Sequence, residues 1–116
     1  MGVKTLKAVD YMKGDYSCSQ SVMCAFADDI NNSHDDAKKI AAPYSGGRKI
    51  KCGAVYAGEI ILAKKFGDDT DKIAAFDKKF LSAVGAINCR DIRSKNLRPC
   101  IGCVEESAKI LEEFLC

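Results

Sequence analysis

Cysteine is the residue type in this chain best suited to chemistry, and it occurs seven times: Cys18, Cys24, Cys52, Cys89, Cys100, Cys103 and Cys116. An odd number does not close into a framework of bridges. Seven in 116 residues also falls below the density of a disulfide scaffold, roughly 8–10%. Met1 to Asp10 holds no apolar run of the kind that directs secretion. The expected setting is a reducing, cytoplasmic one, where grouped cysteines serve redox chemistry or hold metal.

Spacing narrows the options without closing them. Cys100-Ile101-Gly102-Cys103 is a CxxC pair, a spacing shared by disulfide oxidoreductases, zinc sites and iron–sulfur sites. No strand signal precedes it, which argues against a thioredoxin-like fold, and no second CxxC completes a zinc ribbon. Cys89 can complete a three-thiolate set with Cys100 and Cys103, and Cys52 can add a fourth ligand. Those four are the candidate ligands for an iron–sulfur cluster or a soft metal.

Position separates the thiols further. Cys18 falls in the first turn of a predicted second helix. Cys52 falls at the start of a fourth, after Arg48, Lys49 and Lys51. Helix N-termini and nearby cations both favour thiolate, the form that attacks disulfides and binds metals. Cys24 lies inside the second helix and reads as a small packing residue. Cys116 ends the sequence given and has no assigned role. His34, the one histidine, sits among polar residues at a helix start and reads as solvated or capping. Gly46-Gly47-Arg48 lacks the spacing of a phosphate-binding loop.

The elements that position these residues are helical. Val3, Leu6, Val9 and Met12 recur at a spacing of three and give a first helix that stops near Gly14. Ser17 and Gln20 form a capping box for the second, whose inward residues are Val22, Ala25, Phe26 and Ile30. Ser33, with Asp35 and Asp36 behind it, starts a third, with Ala37, Ile40, Ala41 and Tyr44 inward. Ser45-Gly46-Gly47 is a tight loop. The fourth helix runs from near Cys52 to Phe66, with Val55, Leu62 and Phe66 on one side. Gly67 to Thr70 opens a fifth carrying Ile73, Phe76, Phe80 and Val84. Asn88 to Asp91 is a short turn with Asn88 as cap. Pro99 opens the last helix, whose buried face is Val104, Ala108, Leu111 and Leu115.

The expected fold is all-α, one domain over residues 1–116, a bundle of five or six mostly antiparallel helices. Alternation then brings the starts of the second, fourth and last helices to one end, with Cys18, Cys52, Cys89 and Cys103. A net charge of +2 gives no electrostatic footprint for nucleic acid or an anionic membrane. No apolar stretch approaches the ~20 residues of a membrane span.

Read in order, Cys18 in CSQSV, Gly46-Gly47, Cys52-Gly53-Ala54, Cys89-Arg90 and Cys103-Val104 resemble the C_GCAxxG_C_C family. Its members are small bacterial and archaeal proteins described as redox-active. The resemblance spans about residues 7–113. It implies that the family's four cysteines fall on Cys18, Cys52, Cys89 and Cys103. The motif's glycine would fall at Ala57, whereas the glycine here is Gly58. Members are often encoded near transporter genes, which implies a redox partner or a transport-linked one.

Three readings remain in view. One is a thiol protein cycling between dithiol and disulfide, with Cys18 or Cys52 attacking and Cys89 or Cys103 resolving. A second is an iron–sulfur or soft-metal module. A third is a structural or interaction protein with buried cysteines.

Overall fold

The computed structural model describes residues 2–44, 50–67 and 69–115. Among them the chain forms seven α-helices and no strand: α1 (Val3–Lys13), α2 (Cys18–Ala25), α3 (His34–Ala41), α4 (Gly53–Phe66), α5 (Thr70–Val84), α6 (Cys89–Ser94) and α7 (Cys100–Leu115). The expected all-α fold is present. The helix beyond the expected five or six is α6, where the expected Asn88–Asp91 turn winds on to Ser94. The expected loop at Ser45, Gly46 and Gly47 lies outside the described residues, as do Arg48, Lys49, Asp68 and Cys116.

Capping fixes several helix starts. The Gln20 backbone N–H donates to Ser17 Oγ at 3.3 Å, and the Ser17 N–H donates to Gln20 Oε1 at 3.1 Å. This reciprocal box starts α2 at Cys18. Ser33 Oγ accepts the Asp36 N–H at 3.1 Å and starts α3. Asp69 accepts from the Lys72 N–H at 3.1 Å and starts α5, which ends at Gly85 with a left-handed φ of 105°. Asn88 occupies the N-cap of α6 but makes no side-chain capping bond. Its backbone instead pairs with Lys51 in an isolated antiparallel bridge.

Two expected apolar faces are turned differently. Val3 and Leu6 are 69% and 51% exposed, while Thr5 and Ala8 of the same helix are buried. The cause is polar: both the Thr5 N–H and its hydroxyl bond Glu112 Oε1 of α7, which sets the rotation of α1. Phe66, at the end of α4, is also exposed, with Lys72 Nζ 4.9 Å from its ring centre.

The core is built on three helices that pack on one another, α2, α4 and α7. Phe26, Val55, Leu62, Val104 and Leu111 fill the space between them, and Phe76 and Phe80 of α5 close one side. α1 lies across α2 and α7, and α3 lies against α2. The three central helices share another property: each begins at a cysteine.

Candidate thiol site

Cys18 is the first residue of α2, Cys52 is the N-cap of α4, and Cys103 lies in the first turn of α7. Their sulfurs meet. The Cys52 thiol is hydrogen-bonded to both Cys18 and Cys103. The expected meeting of the second, fourth and last helix starts is present, but not by the expected alternation, because α6 intervenes and makes the last helix the seventh. Cys52 and Cys103 are 6% and 1% exposed, and Cys18 is half-buried.

Neighbouring residues fix this meeting point. A Cβ on Gly53 would lie 2.6 Å from Cys18 Sγ and 2.7 Å from the Tyr44 carbonyl oxygen. Only glycine lets α4 start so close to α2. Ser107 Oγ donates to the Ala54 carbonyl at 2.8 Å, joining α7 to α4 one turn beyond Cys103. The Cys52 N–H donates to Ile87 O at 2.7 Å, and the Cys89 N–H donates to Ile50 O at 3.2 Å. With the Lys51–Asn88 bridge between them, these bonds hold Cys89 alongside Cys52.

Cys89 begins α6, and one turn later Arg93 hydrogen-bonds the Cys100 thiol. Arg93 also feels the sulfurs of Cys89 and Cys18, and together these contacts favour its charged form. Arg93 and Cys100 thus belong to the rim of the site. Arg93 escapes a search for reactive residue types; the signal for it is its position four residues after Cys89 in a short helix.

The polarity of the thiols reverses the expectation for Cys52. Its pKa is pushed up to about 12, first because it donates its hydrogen to Cys103, and further by burial. The Cys18 thiol and the Ala54 amide pull the other way and do not compensate. Cys103 is lowered, chiefly by accepting that hydrogen bond from Cys52, with Arg98 helping against burial and the sulfurs of Cys100 and Cys18. The basic residue next to Cys52 gives it no help, because Lys51 Nζ is held by Glu59 at 2.7 Å and Asp77 at 3.3 Å. Arg48 and Lys49 lie outside the described residues.

The remaining expected roles sort as follows. Cys24 is buried in α2, its thiol 3.7 Å from the His34 carbonyl and its pKa raised by burial. That is the environment of a packing residue. His34 is exposed and hydrogen-bonds the Tyr16 hydroxyl at 2.6 Å through Nε2. No disulfide joins the six described cysteines. Among the described residues, no three Cys, His, Asp or Glu side chains are grouped to hold a metal ion. No described helix is long and apolar enough to cross a membrane.

Residues 16–114 match the family model described as "Putative redox-active protein (C_GCAxxG_C_C)". The chain belongs to this family. No curated protein and no solved structure matches it. The match takes in α2 to α6, α7 but for its last residue, and all six described cysteines. Of the four cysteines at the family positions, Cys18, Cys52 and Cys103 are linked through the Cys52 thiol, and Cys89 is held beside them by backbone. The displaced glycine of this member still serves close packing: the Phe76 ring lies directly against Gly58, while Ala57 is buried.

Proposed function

We propose that this C_GCAxxG_C_C protein is a thiol redox protein that cycles between a dithiol and a disulfide at Cys52 and Cys103. The observation that carries the reading is the burial of Cys52 and Cys103 together where α4 and α7 begin, with the contact between them pushing the Cys52 thiol up and Cys103 down. Oxidation removes two electrons and two protons from this pair and forms one S–S bond. An incoming disulfide takes up both and departs as two thiols. Within the buried pair Cys103 is the sulfur favoured as thiolate and Cys52 is its partner. Cys18, bonded to Cys52 from the other side, competes for the same sulfur. Cys89 stands at the rim. The proposed setting is the cytoplasm, where such pairs are kept reduced. The proposed electron source is a redox partner, with a transport-linked protein the candidate that the family implies.

The test is oxidation of the full chain with diamide, an uncharged oxidant, followed by thiol counting and peptide mapping. The expected product has lost two thiols and contains a Cys52–Cys103 linkage. Cys24→Ser should behave the same. Full retention of all thiols after treatment, or linkages that avoid both residues, would overturn the reading.

A further inference from the structure

Cys103 is 1% exposed, so an external disulfide cannot reach it in this packing. Cys100, one helical turn away, is half-buried and faces a cavity of about 510 Å³ at the corner between α6 and α7. That volume is in the range of small-molecule sites, roughly 300–1,000 Å³. A larger cavity of about 610 Å³ lies between α5 and α7, but no cysteine lines it.

The chemistry of the smaller cavity is one-sided. Ile92, Arg93, Asn96, Arg98, Pro99 and Cys100 line it, with no carboxylate among them. Arg93 hydrogen-bonds Cys100 and makes no ion pair with a carboxylate among the described residues. Arg98 spends one nitrogen on Glu106 at 2.9 Å and keeps further N–H donors of its planar head. Its place is set by the CxxC itself: a Cβ on Gly102 would lie 2.5 Å from Arg98 Cγ and 2.8 Å from Cδ. The missing side chain lets the Arg98 stem lie flat across the turn between the two cysteines.

We infer that the α6–α7 pocket docks a small, carboxylate-bearing disulfide, held by Arg93 and Arg98, and that Cys100 is the thiol that exchanges with it. The inference rests on the thiol-cycling reading and names its substrate class. Cys100 as thiolate attacks one sulfur of the bound disulfide. That S–S bond breaks, and one half leaves as a thiol carrying the proton Cys100 gave up. Cys103 then attacks Cys100 Sγ, and the second half leaves with the proton of Cys103. The substrate gains two electrons and two protons, and Cys100 and Cys103 share one new S–S bond. Residues three apart on a helix are neighbours, close enough for a bridge. Cys52 next attacks Cys103, and its proton passes to the released Cys100. The oxidation thereby moves inward to the Cys52–Cys103 pair.

The test compares two disulfide probes, glutathione disulfide with carboxylates and cystamine with ammonium groups. Cys103→Ser traps the mixed disulfide for peptide mapping. Disulfide consumption by the unmodified chain gives a second measure that needs no variant of the interior. The expected result is an adduct on Cys100 and a preference for glutathione disulfide of about tenfold or more, a size typical of local electrostatic attraction. The preference should shrink in high salt and collapse in Arg93→Gln. Because Arg93 also contacts Cys100, that variant slows both probes, and the ratio between probes is the readout. A ratio near one in the unmodified chain, a ratio unmoved by Arg93→Gln, or an adduct on another cysteine would sink the docking site. If diamide still forms the Cys52–Cys103 bond in that case, thiol cycling stands and only the substrate class falls. If diamide forms no bond, both fall together.

Discussion

Cys52 donates its thiol hydrogen to Cys103, and this one contact moves the two residues in opposite directions, Cys52 up to about 12 and Cys103 down. A hydrogen bond to the charged form of a group favours that form, and the donor must keep its proton to make it. Of the two sulfurs, the one on α7 is therefore favoured to carry charge, and the thiol at the start of α4 supports it.

That dependence gives the first prediction. Cys52→Ala removes the largest influence lowering Cys103 and leaves burial, which raises it, against Arg98, which lowers it. The Cys103 midpoint, followed by ultraviolet thiolate absorbance in a chain whose other cysteines are alanine, should lie below the ordinary cysteine value when Cys52 is present. It should rise when Cys52 is absent. Equal midpoints in the two backgrounds would refute the donor assignment.

Much of this frame is legible in the residues. Ser17 with Gln20, and Ser33 ahead of two aspartates, mark helix starts by local bonds that need no tertiary information. Alternation of helix direction over short connections accounts for Cys18 and Cys52, at the starts of α2 and α4, but not for Cys103, because α6 makes its helix the seventh. The charge order among those sulfurs is not legible, because it depends on which thiol faces which across three helices. Lys51 shows the same limit. Next to Cys52 in sequence, it reads as a cation for that thiol, yet its ammonium is held by carboxylates 8 and 26 residues away. The Lys51–Asn88 bridge that brings Cys89 to the site leaves no alternating pattern to find.

Gly53 is the second point of test. Alanine there would place a methyl 2.7 Å from a backbone oxygen, Tyr44 O, and 2.6 Å from Cys18 Sγ. The carbonyl cannot swing away as a side chain can, so α4 must shift from α2. Crowding of this kind costs about 1–3 kcal/mol. Gly53→Ala should lower the unfolding free energy read from urea titration by that amount and reduce Cys18–Cys52 crosslinking by diamide in a Cys103→Ser background. Unchanged crosslinking with normal stability would mean that the two helices tolerate separation and that Gly53 does not set the thiol geometry.

The third prediction concerns Glu59, on the same helix as the thiols' support. Its carboxyl is raised from 4.5 to about 7, mostly by burial, then by a hydrogen bond shared with Asp77 of α5. Lys51, just ahead of α4, opposes the shift with its 2.7 Å contact. In the folded chain Glu59 keeps its proton toward about pH 7, whereas in the unfolded chain it loses it near its ordinary 4.5. Between those values the folded state binds more protons, so stability falls as pH rises. Above about 7 both states are ionised and this contribution levels off. Lys51 does not reverse the slope: its own pKa is raised above 10.5, so its stabilising contribution is fully present across this window and is lost only at higher pH. The expected loss is on the order of 1–3 kcal/mol, read from urea unfolding at steps of pH from 4.5 to 7.5, a window set by the two Glu59 values. Glu59→Gln keeps a neutral hydrogen-bonding group at all these values, so it should remove most of the slope while remaining folded. A slope that survives the substitution would place the titrating group elsewhere.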